Sequence, residues 1–370
     1  MEILPNEILL HIFSYLEWFD MLTCFWSLNI RFNSLVCSAL SINDNLLKTG
    51  LLIKQGLPYN KFSSILFPLI LNSSFLSSSI QRIHFDGTNS ISCDISYELL
   101  FNDKKILRFP NLKSLILTRC ISIESVVQSL SYLIEHQVDE LTLTFDQQVF
   151  KRSFYINKHS SMASDMEKEM IMIKQLVCQL FSEQCQLKSL RLDISDEFIN
   201  TDIHTCLASN SYLSSNFIRY QPQSCCMTLR RLFIRLNLKI CICGDMEFFY
   251  LKWLLNNLNY VEKLQVHLKS DQLLETRCQI IWKSVIDANF ILEYCLPDKI
   301  INLIYFDFYI YSKCKLSLND IEQIINSFKI HSFFISYQWT NVICLFDPIM
   351  SCQHLFSSFT NTLQFSDSIM

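Results

Sequence analysis

The sequence predicts a mixed α/β chain, with a three-helix module at the N-terminus followed by an irregular solenoid of strand–helix units. Three observations predict it. Residues 5–16 are apolar almost all the way round a helix, an apolar triplet recurs from residue 80 towards the C-terminus, and the stretches between triplets have helical periodicity. Half of the 370 residues are apolar and 18% are charged, so a large core must be buried.

The N-terminal segment reads Leu4-Pro5-Asn6-Glu7-Ile8-Leu9-Leu10-His11-Ile12-Phe13-Ser14-Tyr15-Leu16. Pro5 suits a first helical position, where its missing N–H is no loss. The apolar positions up to Leu16 cover far more than the stripe of about 100° that a one-sided helix needs. Asp20 is the expected N-cap of a second helix over residues 21–28, and a third spans residues 31–40. Helices this short cannot bury so much apolar surface alone, so the rest of the chain or a partner must cover the surplus. The string Leu-Pro-x-Glu-Ile-Leu-x-x-Ile-Phe-Ser-Tyr-Leu, with Asp20 four residues on, resembles the F-box family. The resemblance implies that Leu4, Pro5, Ile8, Leu9, Ile12, Phe13, Leu16 and Leu22 face a Skp-type adaptor, which bridges to a cullin. It weakens after residue 22. Ser27-Leu28-Asn29-Ile30-Arg31-Phe32 stands where the family has a Val-Cys-x-x-Trp-like stretch, with Phe32 in the tryptophan's place and Arg31 at a basic position.

The recurring triplet is an apolar residue, two others, an apolar residue, one other and an apolar residue. It occurs as Ile80/Ile83/Phe85, Leu112/Leu115/Leu117, Val138/Leu141/Leu143 and Leu187/Leu190/Leu192. It continues as Leu229/Leu232/Ile234, Val261/Leu264/Val266, Ile301/Ile304/Phe306 and Ile330/Phe333/Ile335. Between the second and third copies, Ile123, Val126, Leu130 and Leu133 share a helical face. Ser164 with Glu167 reads as a capping box before a helix carrying Met170, Ile173, Val177 and Leu180. Asp245 precedes another, and Ser317 with Asp320 opens one bearing Leu318, Ile321, Ile325 and Phe328. A strand of this type alternating with a helix is similar to the leucine-rich repeat family, with Cys120 and Asn237 at that family's Asn/Cys position. The intervals mostly exceed the roughly 20–29 residues usual there, which implies a degenerate horseshoe with long inserts after Leu143 and Ile194. The polar segment 147–163 is the expected mobile loop. The expected organisation is an F-box over 1–40, a connector and cap over 41–79, repeats over 80–340, and a C-terminal cap and tail over 341–370.

Several chemistries are excluded by what is missing. The net charge of −4 and basic runs no longer than pairs give no footprint for nucleic acid. The longest plausible apolar run, 65–71, contains Pro68 and is too short to span a membrane. The N-terminus has no basic region or cleavage site of a secretory leader, and the sixteen cysteines show no disulfide framework. A reducing compartment, cytoplasm or nucleus, is therefore expected. The four glycines form no dinucleotide or phosphate loop and no nucleophile elbow. Cys225-Cys226 and Cys241-x-Cys243 have no second pair at zinc-like spacing, and no cofactor is expected. A cysteine–histidine hydrolase would need one nominee among sixteen cysteines, and nothing singles one out.

The resemblances imply a non-enzymatic substrate receptor of an SCF-type ubiquitin ligase, expected to hold an unknown target protein on the repeats. A non-degradative interaction scaffold is the alternative, and an unrecognised enzyme the third. Because side chains alternate with period two along a strand, the residues between core positions form columns on the other face. The expected target-binding residues in those columns are Arg191, Phe233, Arg235, His267 and Tyr305, aromatics and cations of the kind that dominate interfaces.

Overall fold

The structure is a computed structural model that describes residues 3–41, 50–53, 59–87, 91–101, 108–118, 123–145, 176, 179–180, 182, 184–195, 229, 231–238, 252, 255–256, 260–270, 286–298, 300, 302–313, 317–349 and 351–360. It is mixed α/β, and its strands are mostly parallel. The chain divides into two compact units, Met1–Ser160 and Ser161–Met370.

The first unit opens with α1 (Asn6–Phe13), α2 (Trp18–Phe25) and α3 (Ile30–Ser41). Helix α1 stops at Phe13, short of the expected Leu16. There the Tyr15 and Leu16 amides bond the Ile12 and Phe13 carbonyls in tighter turns, and the Ser14 hydroxyl bonds the His11 carbonyl at 2.7 Å. Helix α2 starts before the expected residue 21. Asp20 lies in its first turn, where its charge suits the helix dipole, and is not the cap. Helix α3 is capped by Asn29, whose Oδ1 accepts from the Phe32 amide at 3.0 Å. Leu9, Phe13, Trp18, Leu22, Phe32 and Val36 are buried, and the Phe25 ring lies 4.9 Å from Phe13 and 5.8 Å from Phe32. The module does not stand alone. The Trp18 indole donates to the Leu52 carbonyl at 2.6 Å and so joins α2 to the first strand.

That strand, β1 (Leu51–Ile53), is followed by a helical stretch containing α4 (Tyr59–Lys61), α5 (Phe67–Asn72) and α6 (Ser74–Ser79). Strand β2 (Arg82–Asp86), helix α7 (Ile91–Phe101), strand β3 (Ser114–Thr118), helix α8 (Ile123–His136) and strand β4 (Glu140–Phe145) then alternate. The four strands pair in parallel and in chain order, so Ile83, Leu115 and Leu141 share one level and Phe85, Leu117 and Leu143 another. These core residues alternate with half-buried ones, the period-two pattern of a strand with one packed face. Leu130, Leu133 and Ile134 of α8 are buried as their spacing predicts. Helix α7 is tied down by Cys93, whose thiol lies 3.2 Å from both the Ile53 and Asp86 carbonyls. Burial pushes that thiol up to about 12, so it serves as a small neutral donor.

The second unit contains β5 (Ser189–Ser195), β6 (Arg231–Leu238), β7 (Lys263–Ser270) and β8 (Tyr305–Lys313), again parallel and in order. Short α9 (Ala288–Phe290) precedes β8. After it come α10 (Leu318–Ile330), α11 (Ser332–Ser336), β9 (Ile343–Asp347) and β10 (Cys352–Thr360). Strand β10 lies antiparallel between β8 and β9. Residues 51–53 and 343–360 thus contribute strands on either side of the triplet region, where the sequence pattern carries no triplet.

Two triplets differ from their expected form. In β8 the residues level with Leu264 and Val266 are Phe306 and Phe308, and the residue equivalent to Val261 is Leu303. The core triplet is therefore Leu303/Phe306/Phe308, not Ile301/Ile304/Phe306. Backbone bonding repeats the same register: the Gln81 carbonyl accepts from both residues 113 and 114, Lys113 from 139 and 140, and Glu262 from 304 and 305. Ile330/Phe333/Ile335 is no strand at all. It falls on the end of α10 and on α11, where Phe334 is buried and Ile335 exposed. Helix α10 carries the expected capping box, with the Asp320 amide donating to the Ser317 hydroxyl at 3.2 Å and the Ser317 amide to Asp320 at 2.7 Å. Its buried face is centred on Ile324 and Phe328, and Leu318 is exposed. The segment 147–163, Cys120, the Ser164 and Asp245 helix starts and most of both expected inserts lie outside the described residues.

One ionic contact in this unit sets a pH dependence. Lys252 Nζ donates to the Leu292 and Leu296 carbonyls at 3.1 and 2.8 Å and lies 2.8 Å from Asp298 Oδ1. Asn256 exchanges two hydrogen bonds with Asp298, at 2.6 and 2.7 Å. Lys252, then its charge and Asn256, hold the Asp298 carboxyl below its ordinary value. A lowered folded pKa contributes stability above the usual carboxylate range of about 4 and loses it as pH falls through the lowered value. Asp298→Asn should therefore be less stable than the parent at pH 7. The gap should close in thermal melts below about pH 4; a gap that persists there would show that charge is not its cause.

Candidate functional site

Two surfaces carry the residues that the sequence singles out, one in each unit. On the three-helix module those residues split into two classes. Leu9, Phe13 and Leu22 are buried inside the module and hold it together, so they do not form a free surface. Pro5, Ile8 and Leu16 are exposed, and Leu4 and Ile12 are half-buried. Ile8 is 46% exposed and Leu16 37% exposed, with Tyr15, Leu28 and Ile30 more exposed still. Among the described residues these are large apolar side chains left to solvent. Arg31 braces the start of the module, its Nε donating to Asn6 Oδ1 at 2.8 Å and its Nη2 to the Leu4 carbonyl. The departure of Ser27–Phe32 from the family pattern thus has a local role: Arg31 fixes the N-terminal turn, Asn29 caps α3, and Ser27 takes a left-handed turn at φ 70° with its amide on Asn33 Oδ1 at 2.7 Å.

The second surface is the face of β5–β8 opposite the core. Register gives its rows directly: Ser189, Arg231, Lys263, Tyr305; then Arg191, Phe233, Gln265, Asp307; then Asp193, Arg235, His267, Tyr309. Arg191, Phe233, Arg235 and His267 fall on adjoining positions, as expected. Tyr305 shares the face but sits one row earlier than the sequence implied, level with Lys263, because the β8 triplet is shifted by two residues. Asp307 and Tyr309 take the positions beside Gln265 and His267. The Arg191 guanidinium lies over the Phe233 ring at 4.2 Å, a cation–π geometry. Phe233 meets His267 edge-on at 5.0 Å, and His267 meets Tyr309 at 5.9 Å. Asp307 accepts from Gln265 at 2.9 Å and lies 3.7 Å from His267 Nε2. Of Arg235 only the backbone is described.

The row extends further than the triplets signal. Tyr309 Oη lies 2.8 Å from His354 Nδ1 on β10, and His354 Nε2 lies 3.4 Å from Cys352 Sγ. Burial, then Cys352, push the Tyr309 phenol above its ordinary value. Cysteine, histidine and tyrosine here stand in the order of a nucleophile, a base and an orienting group. Cys352 is only 1% exposed, however, so a substrate does not reach its sulfur. Tyr309 is legible in the strict alternation from Tyr305 to Tyr311. His354 is not, because β10 is antiparallel and carries no triplet. Among the described residues no three His, Cys, Asp or Glu side chains are grouped to hold a metal ion, and no helix is long and apolar enough to cross a membrane. No protein-family model matches the chain, and no curated protein matches it.

Proposed function

We propose that the chain is the substrate-receptor subunit of an SCF-type cullin ubiquitin ligase. The three-helix module binds a Skp-type adaptor, the adaptor joins the cullin, and the face of β5–β8 holds the target protein. Ubiquitin transfer is left to the other subunits, so the chain itself needs no catalytic group. The observation that carries this reading is the division within the F-box-like string. Leu9, Phe13 and Leu22 complete the module's core, while Ile8 and Leu16 of the same string are left exposed. The exposed group is available to a partner. Burying each against an adaptor would contribute about 1.5–3 kcal/mol.

The test is Ile8→Asp with Leu16→Asp in the full chain. Both positions are exposed, so the melting temperature should stay within a few degrees of the parent. Co-purification of the Skp-type adaptor and cullin should be lost. Retained adaptor binding overturns the receptor reading; target capture without adaptor in the parent protein makes the chain a non-degradative scaffold.

A further inference from the structure

From the open edge of β9 and the side chains that flank it, we infer that the second unit pairs with a second copy of this chain. The two β9 strands lie side by side in an antiparallel, two-fold dimer. The inference stands apart from the receptor reading. Among the described residues β9 bonds to β10 and to no other strand. Every second residue of it therefore turns its N–H and C=O outward, and an extended backbone is what satisfies a row of such groups.

In the first unit the outer strand β1 is closed off: Leu51 and Ile53 are buried, and the Trp18 indole takes the Leu52 carbonyl. On β9, by contrast, Ile343 is 45% exposed and Leu345 54% exposed. The strand reads Ile343-Cys344-Leu345-Phe346-Asp347. It holds no lysine or proline to blunt it, and its one charge and the following Pro348 stand at its end. Cross-strand rows run His267, Tyr309, Phe356, Ile343 and then Tyr311, His354, Leu345. Aromatic and apolar side chains thus lead up to the edge and stop there. The other face of β9 is occupied, with Cys344 buried and α10 packed on the strand.

An occupant must be extended and apolar at alternate positions, and β9 meets both requirements itself. Antiparallel pairing centred on Cys344 sets Ile343 against the partner's Leu345, and Leu345 against the partner's Ile343. Two-fold symmetry thus gives the same apolar contact twice and continues both rows into the second copy. The same register sets Asp347 against the partner's Asn341, so the two carboxylates lie at opposite ends of the pair and do not repel. Strands of five residues bury less than the roughly 1,200 Å² of a standard interface, so the dimer is weak and depends on concentration.

The experiment is sedimentation velocity of the full-length chain over a concentration series reaching about 100 μM, where a weak complex of this class is populated. The parent should shift from the mass of one chain to that of two. Ile343→Lys and Leu345→Glu, each at an exposed position, should separately weaken association about tenfold or more and leave the melting temperature near that of the parent. Mixing the two variants should restore a dimer, because the register sets the new ammonium against the new carboxylate and keeps the other apolar pair. A parent that stays monomeric throughout overturns the proposal, as does a dimer that both variants keep or one that mixing fails to restore. A dimer seen only after removal of residues 361–370 also overturns it, and gives the edge to the chain's own end. A monomeric parent carrying another protein that Leu345→Glu releases overturns it in favour of that protein.

Discussion

Gly50→Ala is expected to destabilise the first unit by about 2–4 kcal/mol, more than most surface substitutions of similar size. Gly50 sits at φ +102°, a conformation that side-chain-bearing L-residues rarely adopt. A methyl group there would lie 2.4 Å from the Arg82 carbonyl oxygen and 2.9 Å from Arg82 Cβ. Neither atom is the far end of a flexible side chain, so relief requires moving the start of β1 away from β2. That strand pair is short, with Leu51, Leu52 and Ile53 set against Ile83, His84 and Phe85, and has little pairing to spare. Leu52 also receives the Trp18 hydrogen bond that joins the helical module to the strands. Urea unfolding of the parent and variant measures the loss. A change below about 1 kcal/mol would mean that β1 does not rest on β2 in this way.

Phe308→Ala should cost about 3–5 kcal/mol, and Ile304→Ala about 1 kcal/mol or less. Phe308 is fully buried, stacked at 6.2 Å and 16° against Phe328 of α10 and 5.5 Å from Phe306. Its removal leaves a ring-sized cavity between β8 and the helix over it. Ile304 is half-buried and precedes the strand, at the level of Glu262. The triplet read from the sequence requires the reverse order, with Ile304 in the core. The two melts, taken together, decide the register of β8 and hence which side chains stand beside His267.

The sequence by itself determined the strand–helix alternation and most of the core. The Leu-x-x-Leu-x-Leu copies at Leu112 and Val138 lie in parallel register in the first unit, and those at Leu187, Leu229 and Val261 do so in the second, because period two and an apolar leading residue leave a strand only one way to face its neighbours. The capping box at Ser317 was equally legible, since its two hydrogen bonds depend on residues three apart. Local pattern did not decide β8. Leu303-Ile304-Tyr305-Phe306-Asp307-Phe308 offers apolar residues in both registers, and only pairing with β7 and packing on α10 select one. Nor did it decide Ile330–Ile335, where an apolar triplet fits a helix turn as well as a strand. The fate of each N-terminal apolar residue was likewise a tertiary matter. Leu9 and Ile8 are neighbours of similar hydrophobicity, yet the fold buries the first and leaves the second to solvent. The Tyr309–His354–Cys352 contact, finally, joins a parallel strand to an antiparallel one that returns from beyond β9, and a hydrogen bond across such a chain reversal leaves no trace in local periodicity.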